Sequence, residues 1–477
     1  MRIWFYKTVF IFSVIAGLSS CKKWEAHNEP TDPAITKNLF EAVSGNASLS
    51  KFTEYLKKTG YDGVLASSRT FTVFAPTDNA LAAVDPAIIN DSARLRAFVG
   101  NHITTQSYFT KDAGTGKRIG MLNGKFQNMM GTKIGDANIT GADQFAKNGV
   151  LHVIDKMLPV LNNTWESLLL NPSIPSAQRT YLASLMRRVF DPTNAIQIGV
   201  NPTTGDPIYQ PGTDSVTTNL FWRNVLDVRN ESKQYTMFVL TDTAWNSQVT
   251  RFSPFFATGS TDSTAELARW EVVKDFAVEG LYTPQMLPDT LVSVSGVKVP
   301  IDKSAIVQTI QTSNGIIYVM SRIDVRTTDK IMGFRIEAES YRASSHDRRG
   351  NTYFRDRYNP VTGKDFRDVL VLNHGVAQFN LNYRLRNVYS TKYKAYWVAV
   401  NDFQTATFSQ KLSVESPTAA TLPYKAVLPN DFNEIYLGEF TVTQFKSFFD
   451  LYLTAANSTS NAANPLVCDY IRLEPSF

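Results

Sequence analysis

The chain has 477 residues, 43% of them hydrophobic, a formal net charge of +5 and only two cysteines, Cys21 and Cys468. So mild a charge argues against a nucleic-acid partner, which calls for a concentrated basic face. The length and apolar content suffice for roughly three domains that stand on hydrophobic cores.

At the start, Arg2 and Lys7 flank an apolar run from Val9 to Leu18. The run is shorter than the ~20 residues a spanning helix needs, so residues 1–20 read as a signal peptide. Leu18-Ser19-Ser20-Cys21 resembles the lipobox of bacterial lipoproteins, which implies that Cys21 is acylated and anchors the mature chain to a membrane. Ordinary secretory cleavage is the alternative. With Cys21 consumed in this way, Cys468 is left without a disulfide partner. Residues 21–35 are polar, contain Pro30 and Pro33, show no hydrophobic periodicity and read as a tether. Lys22, Lys23 and Glu25 resemble the charged export tags of surface lipoproteins in Bacteroidota. That likeness implies an outer-membrane protein facing the cell surface, with the periplasmic face as the alternative.

A two-part signature then occurs twice. Thr70 to Leu81 (TFTVFAPTDNAL) is followed by Asn148 to Leu158 (NGVLHVIDKML), and Tyr235 to Trp245 (YTMFVLTDTAW) by Asn314 to Asp324 (NGIIYVMSRID). Thr72 and Asn148 are 76 positions apart, Thr236 and Asn314 are 78 apart, and matched spacing means tandem copies of one fold. Within the first copy, Thr70 to Phe74 alternates polar and apolar residues and predicts a strand. Pro76 ends it, and Thr77 or Asp78 caps a helix near Ala80. Asn148-Gly149 predicts a turn, with a buried strand from Val150 to Ile154 after it.

These motifs resemble the fasciclin-type domain, an α+β module of extracellular adhesion and surface proteins. Asn101-His102-Ile103 with Tyr108 is similar to the central segment of that family. The likeness implies one such domain over residues 36–159 and a divergent second over 160–325, where Leu240 stands in place of the proline and Tyr318 in place of the histidine. An insertion from Asn194 to Thr218, rich in Pro, Gly and Thr, predicts a long surface loop. His102 and His152 could form a metal pair or a general base, but no carboxylate or cysteine stands at ligand spacing near either. They read as core histidines bonded to backbone, and Asp78 as a cap.

Arg326 to Lys330 reads as a linker. Beyond it, runs at Ala377–Tyr383, Tyr393–Val400, Ile435–Val442, Phe448–Thr454 and Val467–Leu473 predict strands of an all-β sandwich over residues 331–477. Phe334 to Glu339 and Cys468 to Glu474 resemble the first and last strands of jelly-roll carbohydrate-binding modules. That likeness implies a structural calcium ion held by Glu337, Glu339 and Asp469. Strand alternation would put the two glutamates on one face, and carboxylate oxygens suit calcium. Three solvated edge charges are the alternative. A sugar site needs exposed aromatic faces and a few polar groups. The segment from Arg342 to Tyr358 reads as a loop offering Arg348, Arg349, Tyr353 and Arg355, whose guanidinium forks match an acidic glycan. Trp397 is a further candidate, with burial in the core as its competing role.

For an enzyme the motifs are wanting. Gly114-Thr115-Gly116-Lys117-Arg118 has Arg118 where a phosphate loop needs Ser or Thr, and Ser345-His346-Asp347 holds adjacent side chains that cannot converge into a triad. The expectation is therefore a multidomain, non-catalytic envelope lipoprotein, two α+β fasciclin-type domains followed by a β-sandwich (jelly roll). In one reading it captures polysaccharide beside an outer-membrane uptake system. In the other it is an adhesion or scaffold protein with a structural sandwich. Its partners would be the membrane through the lipid, a polysaccharide, or uptake or adhesion proteins, and its only cofactor calcium.

Overall fold

The computed structural model describes residues 36–477, so the signal peptide, Cys21 and the tether lie outside the described residues. Among those described, no helix is long and apolar enough to cross a membrane. By its contacts the chain divides into two compact units. One holds residues up to Leu170 with Val228–Tyr235 and Gln311–Ile316, the other everything else.

In the first unit, helix Ser50–Thr59 buries Phe52, Tyr55, Leu56 and Thr59, the i, i+3, i+4, i+7 stripe of an amphipathic helix. It packs with Leu39–Ser44, Tyr61–Ala66 and Ser92–Gly100. A seven-stranded sheet runs in the order Ile103–Thr104, Phe71–Pro76, Gly149–Ile154, Ala137–Ala146, Lys133–Ile134, Phe126–Met130 and Lys117–Gly120. Phe71–Pro76 and Gly149–Ile154 are parallel, and every other pairing is antiparallel. Both central strands are buried on two faces. Phe71, Val73, Ala75, Leu151 and Val153 join the helical core, while Phe74 and Ile154 enter a second core with Ile119, Met129 and Ile134. The predicted helix near Ala80 is a short 3-10 turn, Ala80–Ala83.

The repeated signature is repeated atom for atom. Asn148 Oδ1 accepts from Leu39 N at 2.8 Å, and its Nδ2 donates to the carbonyls of Leu65 and Ser67. Asn314 likewise accepts from Thr164 N at 2.8 Å and donates to Val228 and Asn230. A Cβ on Gly149 would lie 1.8 Å from Phe71 O, and one on Gly315 would lie 2.1 Å from Tyr235 O, so neither position admits a side chain. Thr72 Oγ1 donates to Gln106 O and accepts from Tyr108 N, while Thr236 Oγ1 donates to Gly280 O and accepts from Tyr282 N. Asp78 departs from its expected role. Thr77 caps the turn at Ala80, whereas Asp78 accepts from Lys51 N and Ser50 Oγ at the start of helix Ser50–Thr59. Asp242 does the same for Ser176 and Ala177.

The second unit contains most of the sheet ordered Ala277–Glu279, Tyr235–Leu240, Gly315–Met320 and Ile306–Thr312. The expected insertion loop is instead two small antiparallel ribbons, Met186–Phe190 with Ser215–Asn219 and Gln197–Val200 with Pro207–Tyr209. The expected linker is a helical turn, Thr327–Lys330, whose last residue is buried. Lys330 Nζ reaches Asp275 Oδ2 at 2.6 Å, between side chains 1% and 0% exposed.

Beyond it lies a β-sandwich. One sheet is ordered Phe334–Glu337, Tyr470–Ser476, Lys392–Val398, Ile435–Thr441, and the other Ala343–Ser344, Asn380–Val388, Lys446–Ala455, Phe408–Val414, Lys425–Val427. Alternate residues of both, among them Tyr393, Trp397, Leu437, Ile471, Leu381, Tyr383, Leu451 and Leu453, meet in one core. A third sheet pairs Thr352–Asn359 with Lys364–Val371, and that with Leu466–Cys468. Where the sandwich meets the second repeat, Phe256 packs edge-on against Tyr389 and beside Phe445, and Phe445 N donates to Ala257 O at 2.7 Å.

Candidate functional site

The segment read as a loop up to Tyr358 is in fact half of a hairpin. Thr352–Asn359 pairs residue for residue with Lys364–Val371, Thr352 opposite Val371 and Asn359 opposite Lys364. Pro360 and Gly363 stand in the turn between them, so the hairpin was legible in turn chemistry.

Beneath the hairpin sits an ion network. Arg355 Nε donates to Asp368 Oδ1 at 2.9 Å, its Nη2 to Asp368 Oδ2 and its Nη1 to Asp402 Oδ1 at 2.6 Å. Arg357 Nη2 lies 2.9 Å from Asp402 Oδ2. Burial holds the Asp368 carboxyl above its ordinary range, against the pull of Arg355. A guanidinium whose fork is spent on two aspartates has little left for a ligand, so Arg355 is a supporting residue and not a contact. Arg348 is similarly occupied, donating to the carbonyls of His374 and Asp347, each at 2.9 Å. Arg349 is exposed beside Asp347.

On the surface the hairpin is aromatic. Tyr353 and Phe354 are each 46% exposed and Tyr358 59%. Asp356, Arg357, Tyr358, Asp365 and Phe366 line an open cavity of about 620 Å³. Ring faces beside both donors and acceptors are the equipment for holding a hydroxylated ring. Asp365 and Phe366 escaped the sequence reading because their strand was not recognised.

Trp397 must be withdrawn as a contact, being 1% exposed within the sandwich core. Tyr393, two positions before an irregularity at Ala395/Tyr396, is buried as well. Strand alternation puts Tyr396 on the outer face, between buried Ala395 and Trp397, 5.4 Å from Tyr436 and under Arg472.

The calcium expectation meets a different geometry. Strand Phe334–Glu337 ends at Glu337, and Glu339 sits on the 3-10 turn Ala338–Ser340, so strand alternation does not set its direction. Arg335 Nε donates to Glu337 Oε1 at 2.7 Å. Glu339 Oε2 is buried without a hydrogen-bond partner. Asp469 is pushed up to about 7 by burial, with Arg335 opposing and Glu337, Asp368 and Glu339 adding to the rise. Among the described residues no three Asp, Glu, His or Cys side chains are grouped to hold a metal ion. Glu339 and Asp469 are thus two poorly compensated carboxyls whose electrostatics fit a hard cation, and Glu337 is the member already engaged.

Both histidines of the first repeat are committed to backbone. His102 Nδ1 donates to Phe98 O at 2.9 Å while its Nε2 accepts from Leu158 N at 2.9 Å. His152 Nε2 donates to Tyr108 O at 2.9 Å and its Nδ1 accepts from Asp143 N at 3.2 Å. Neither ring has a nitrogen left for a metal. In the second repeat Tyr318 takes the place of His152, stacking on Phe238 as His152 does on Phe74 and donating to Tyr282 O at 2.8 Å.

Comparison with known families bears on the first repeat. Residues 47–160 match the family model described as Fasciclin domain. That segment is a fasciclin domain. A Synechocystis relative, described as Protein sll1483, is 28% identical over 138 residues, 27% of this chain and 75% of that protein. Among solved structures, the domain pair of the insect cell adhesion molecule Fasciclin I aligns over 60% of this chain and 100% of its own, at 14% identity and a TM-score of 0.24. A family 35 carbohydrate-binding module from Clostridium thermocellum aligns over 30% and 99%, at 13% identity and 0.22. A C-terminal family 6 module of a laminarinase from Zobellia galactanivorans aligns over 30% and 99%, at 17% identity and 0.20.

Proposed function

We propose that this is a non-catalytic lipoprotein of the cell envelope, anchored through Cys21 at the outer membrane and facing the cell surface, that captures polysaccharide with its sandwich. Along the chain, the fasciclin domain and a second, divergent fasciclin-type domain stand between the anchor and the sandwich. The second assignment rests on the shared hydrogen bonds of Asn148 and Asn314 and of Thr72 and Thr236. The observation that carries the functional reading is the aromatic hairpin, on which Tyr353, Phe354 and Tyr358 are exposed and within which Arg355, Asp368 and Asp402 form a paired ionic floor. Because that floor is charge-matched, the hairpin suits neutral sugar rings better than the acidic glycan expected from its arginines.

The test is a glycan array probed with the chain from residue 22 onward, followed by calorimetry on any hit with Tyr353→Ala/Tyr358→Ala. Stacking contributes about 1–3 kcal/mol per ring in related π-stacked sites, so at least a tenfold loss is expected. Absence of binding to every polysaccharide would sink this reading. Calcium belongs to the same proposal, held by Glu339 and Asp469. A melting temperature unchanged between calcium and chelator removes it.

A second reading, adhesion to another protein, draws on the insertion. Ile198 and Val200 on its ribbon, and Ile196 just before it, are 61%, 55% and 53% exposed. Cross-linking from intact cells through these ribbons tests it, and recovery of the uncross-linked chain alone counts against it.

A further inference from the structure

The Gly114 to Arg118 segment, which fails as a nucleotide loop, opens into a cavity of about 370 Å³ in the fasciclin domain. Lys117, Arg118 and Lys133 line it together with Gly116, Asn128 and Met130. The pairing explains how they gather. Arg118 lies opposite Asn128 across one strand pair and Met130 opposite Lys133 across the next. No acidic side chain lines the cavity.

Glu231 acts on the charge of Arg118, while Lys117 and Lys133 have no ion pair among the described residues. Arg118 Nη2 donates to the backbone carbonyl of Glu231 at 2.6 Å, and its guanidinium lies 4.5 Å over the ring of Phe126. The Glu231 carboxylate is itself taken by Lys125 at 2.6 Å and by Ser313. Lys117 Nζ lies 4.9 Å over the Tyr108 ring, and among the described residues neither it nor Lys133 forms an ion pair. Arg118 and Lys133 share one face of these strand pairs, Lys117 stands at the rim with its ammonium over Tyr108, and a bound anion relieves the repulsion among them. Met130 is 59% exposed, and Asn128 adds an amide that can both donate and accept.

We infer that this cavity is an anion-binding site for the carboxylate or sulfate of an acidic glycan, separate from the aromatic hairpin. The walls favour a glycan over an acidic peptide. They offer an amide, glycine backbone and ammonium groups, which match a ring bearing hydroxyls and one charge, with Met130 as exposed apolar surface for the ring's C–H face.

The experiment measures binding of polygalacturonate, a sulfated galactan, neutral mannan, polyglutamate and inorganic sulfate to the chain from residue 22 onward. It compares the wild type with Lys117→Gln/Lys133→Gln and with Tyr353→Ala/Tyr358→Ala. Expected is binding of at least one acidic polysaccharide that weakens steeply with salt, falls tenfold or more in the lysine variant, survives in the tyrosine variant and is competed by millimolar sulfate. Both lysines are exposed, so the variant should melt with the wild type. Lys117→Arg/Lys133→Arg should bind, and serves as the charge-retaining control if it does not melt so. Failure of every acidic polysaccharide to bind, retention of full binding by the lysine variant, or equal binding of polyglutamate overturns the assignment. Loss of mannan binding alone in the tyrosine variant concerns the hairpin and leaves this site standing.

Discussion

His102 shows how a single residue contributes to the pH response of the first repeat, beside His152, whose pKa burial also lowers. Burial depresses the His102 pKa from 6.5 to about 4, with the bond to Phe98 opposing. Unfolded, the same ring protonates near 6.5, so between the two values the unfolded chain binds more protons than the folded one. The His102 contribution to stability is therefore full above about 6.5 and is lost as the pH drops through about 4, about 3 kcal/mol in all. Urea melts from pH 7.5 to 4.5 should show a slope that His102→Leu removes in part. Parallel curves for the two proteins would refute the assignment. Asn148 sets a comparable test without titration. Its side chain serves one buried donor and two carbonyls, so Asn148→Ala should cost about 2–4 kcal/mol, and Asn314→Ala a similar amount in its own repeat. A loss below 1 kcal/mol in either, by thermal denaturation, would mean that water replaces the amide.

At the scale of elements, the helical turn Thr327–Lys330 makes the strongest prediction. Lys330→Ala strands Asp275 in the interior, where it keeps only Ser293 and Ser295 as donors, and removing one partner of a buried pair costs about 3–5 kcal/mol. A shift in urea midpoint matching less than 1 kcal/mol would show that the aspartate takes up a proton or water at little cost. The same turn marks where sequence reading stops. Arg326 to Lys330 is polar and so resembles a linker, and nothing local reveals that its lysine meets an aspartate 55 positions earlier. The Asn148-Gly149 and Asn314-Gly315 signatures were readable because turn, close approach and adjacent strand are all local. The hairpin lay between these extremes. Its Arg355 and Arg357 alternate towards buried aspartates that only the fold brings near, and a strand that buries charge has no hydrophobic period to betray it. Trp397 was readable as a core residue from strand alternation, and its burial withdraws it only from the list of glycan contacts.

Across the second unit, the repeat and the sandwich are joined by more than the chain. Phe256 stands against Tyr389 at 5.5 Å and Phe445 at 5.5 Å, Ser390 N donates to Phe255 O at 2.8 Å, and Tyr389 donates its hydroxyl to the carbonyl of Lys330. Phe256 is only 4% exposed, so this contact is a piece of interior and not a wet surface touch. Loops joining independent domains lack such burial, and shared burial makes unfolding cooperative. In hydrogen exchange monitored by mass spectrometry, Phe238–Leu240 of the repeat and Lys392–Val398 of the sandwich should therefore open with the same free energy. Phe256→Ala removes about 3–5 kcal/mol of buried contact and should separate the two openings, the less stable one exchanging first. If wild-type strands already exchange with free energies several kcal/mol apart, the two parts fold independently. In that event the hairpin of Thr352–Asn359 and Lys364–Val371 sits on a hinge. If instead they open together, a force applied at the hairpin is borne by the repeat and the sandwich as one cooperative unit.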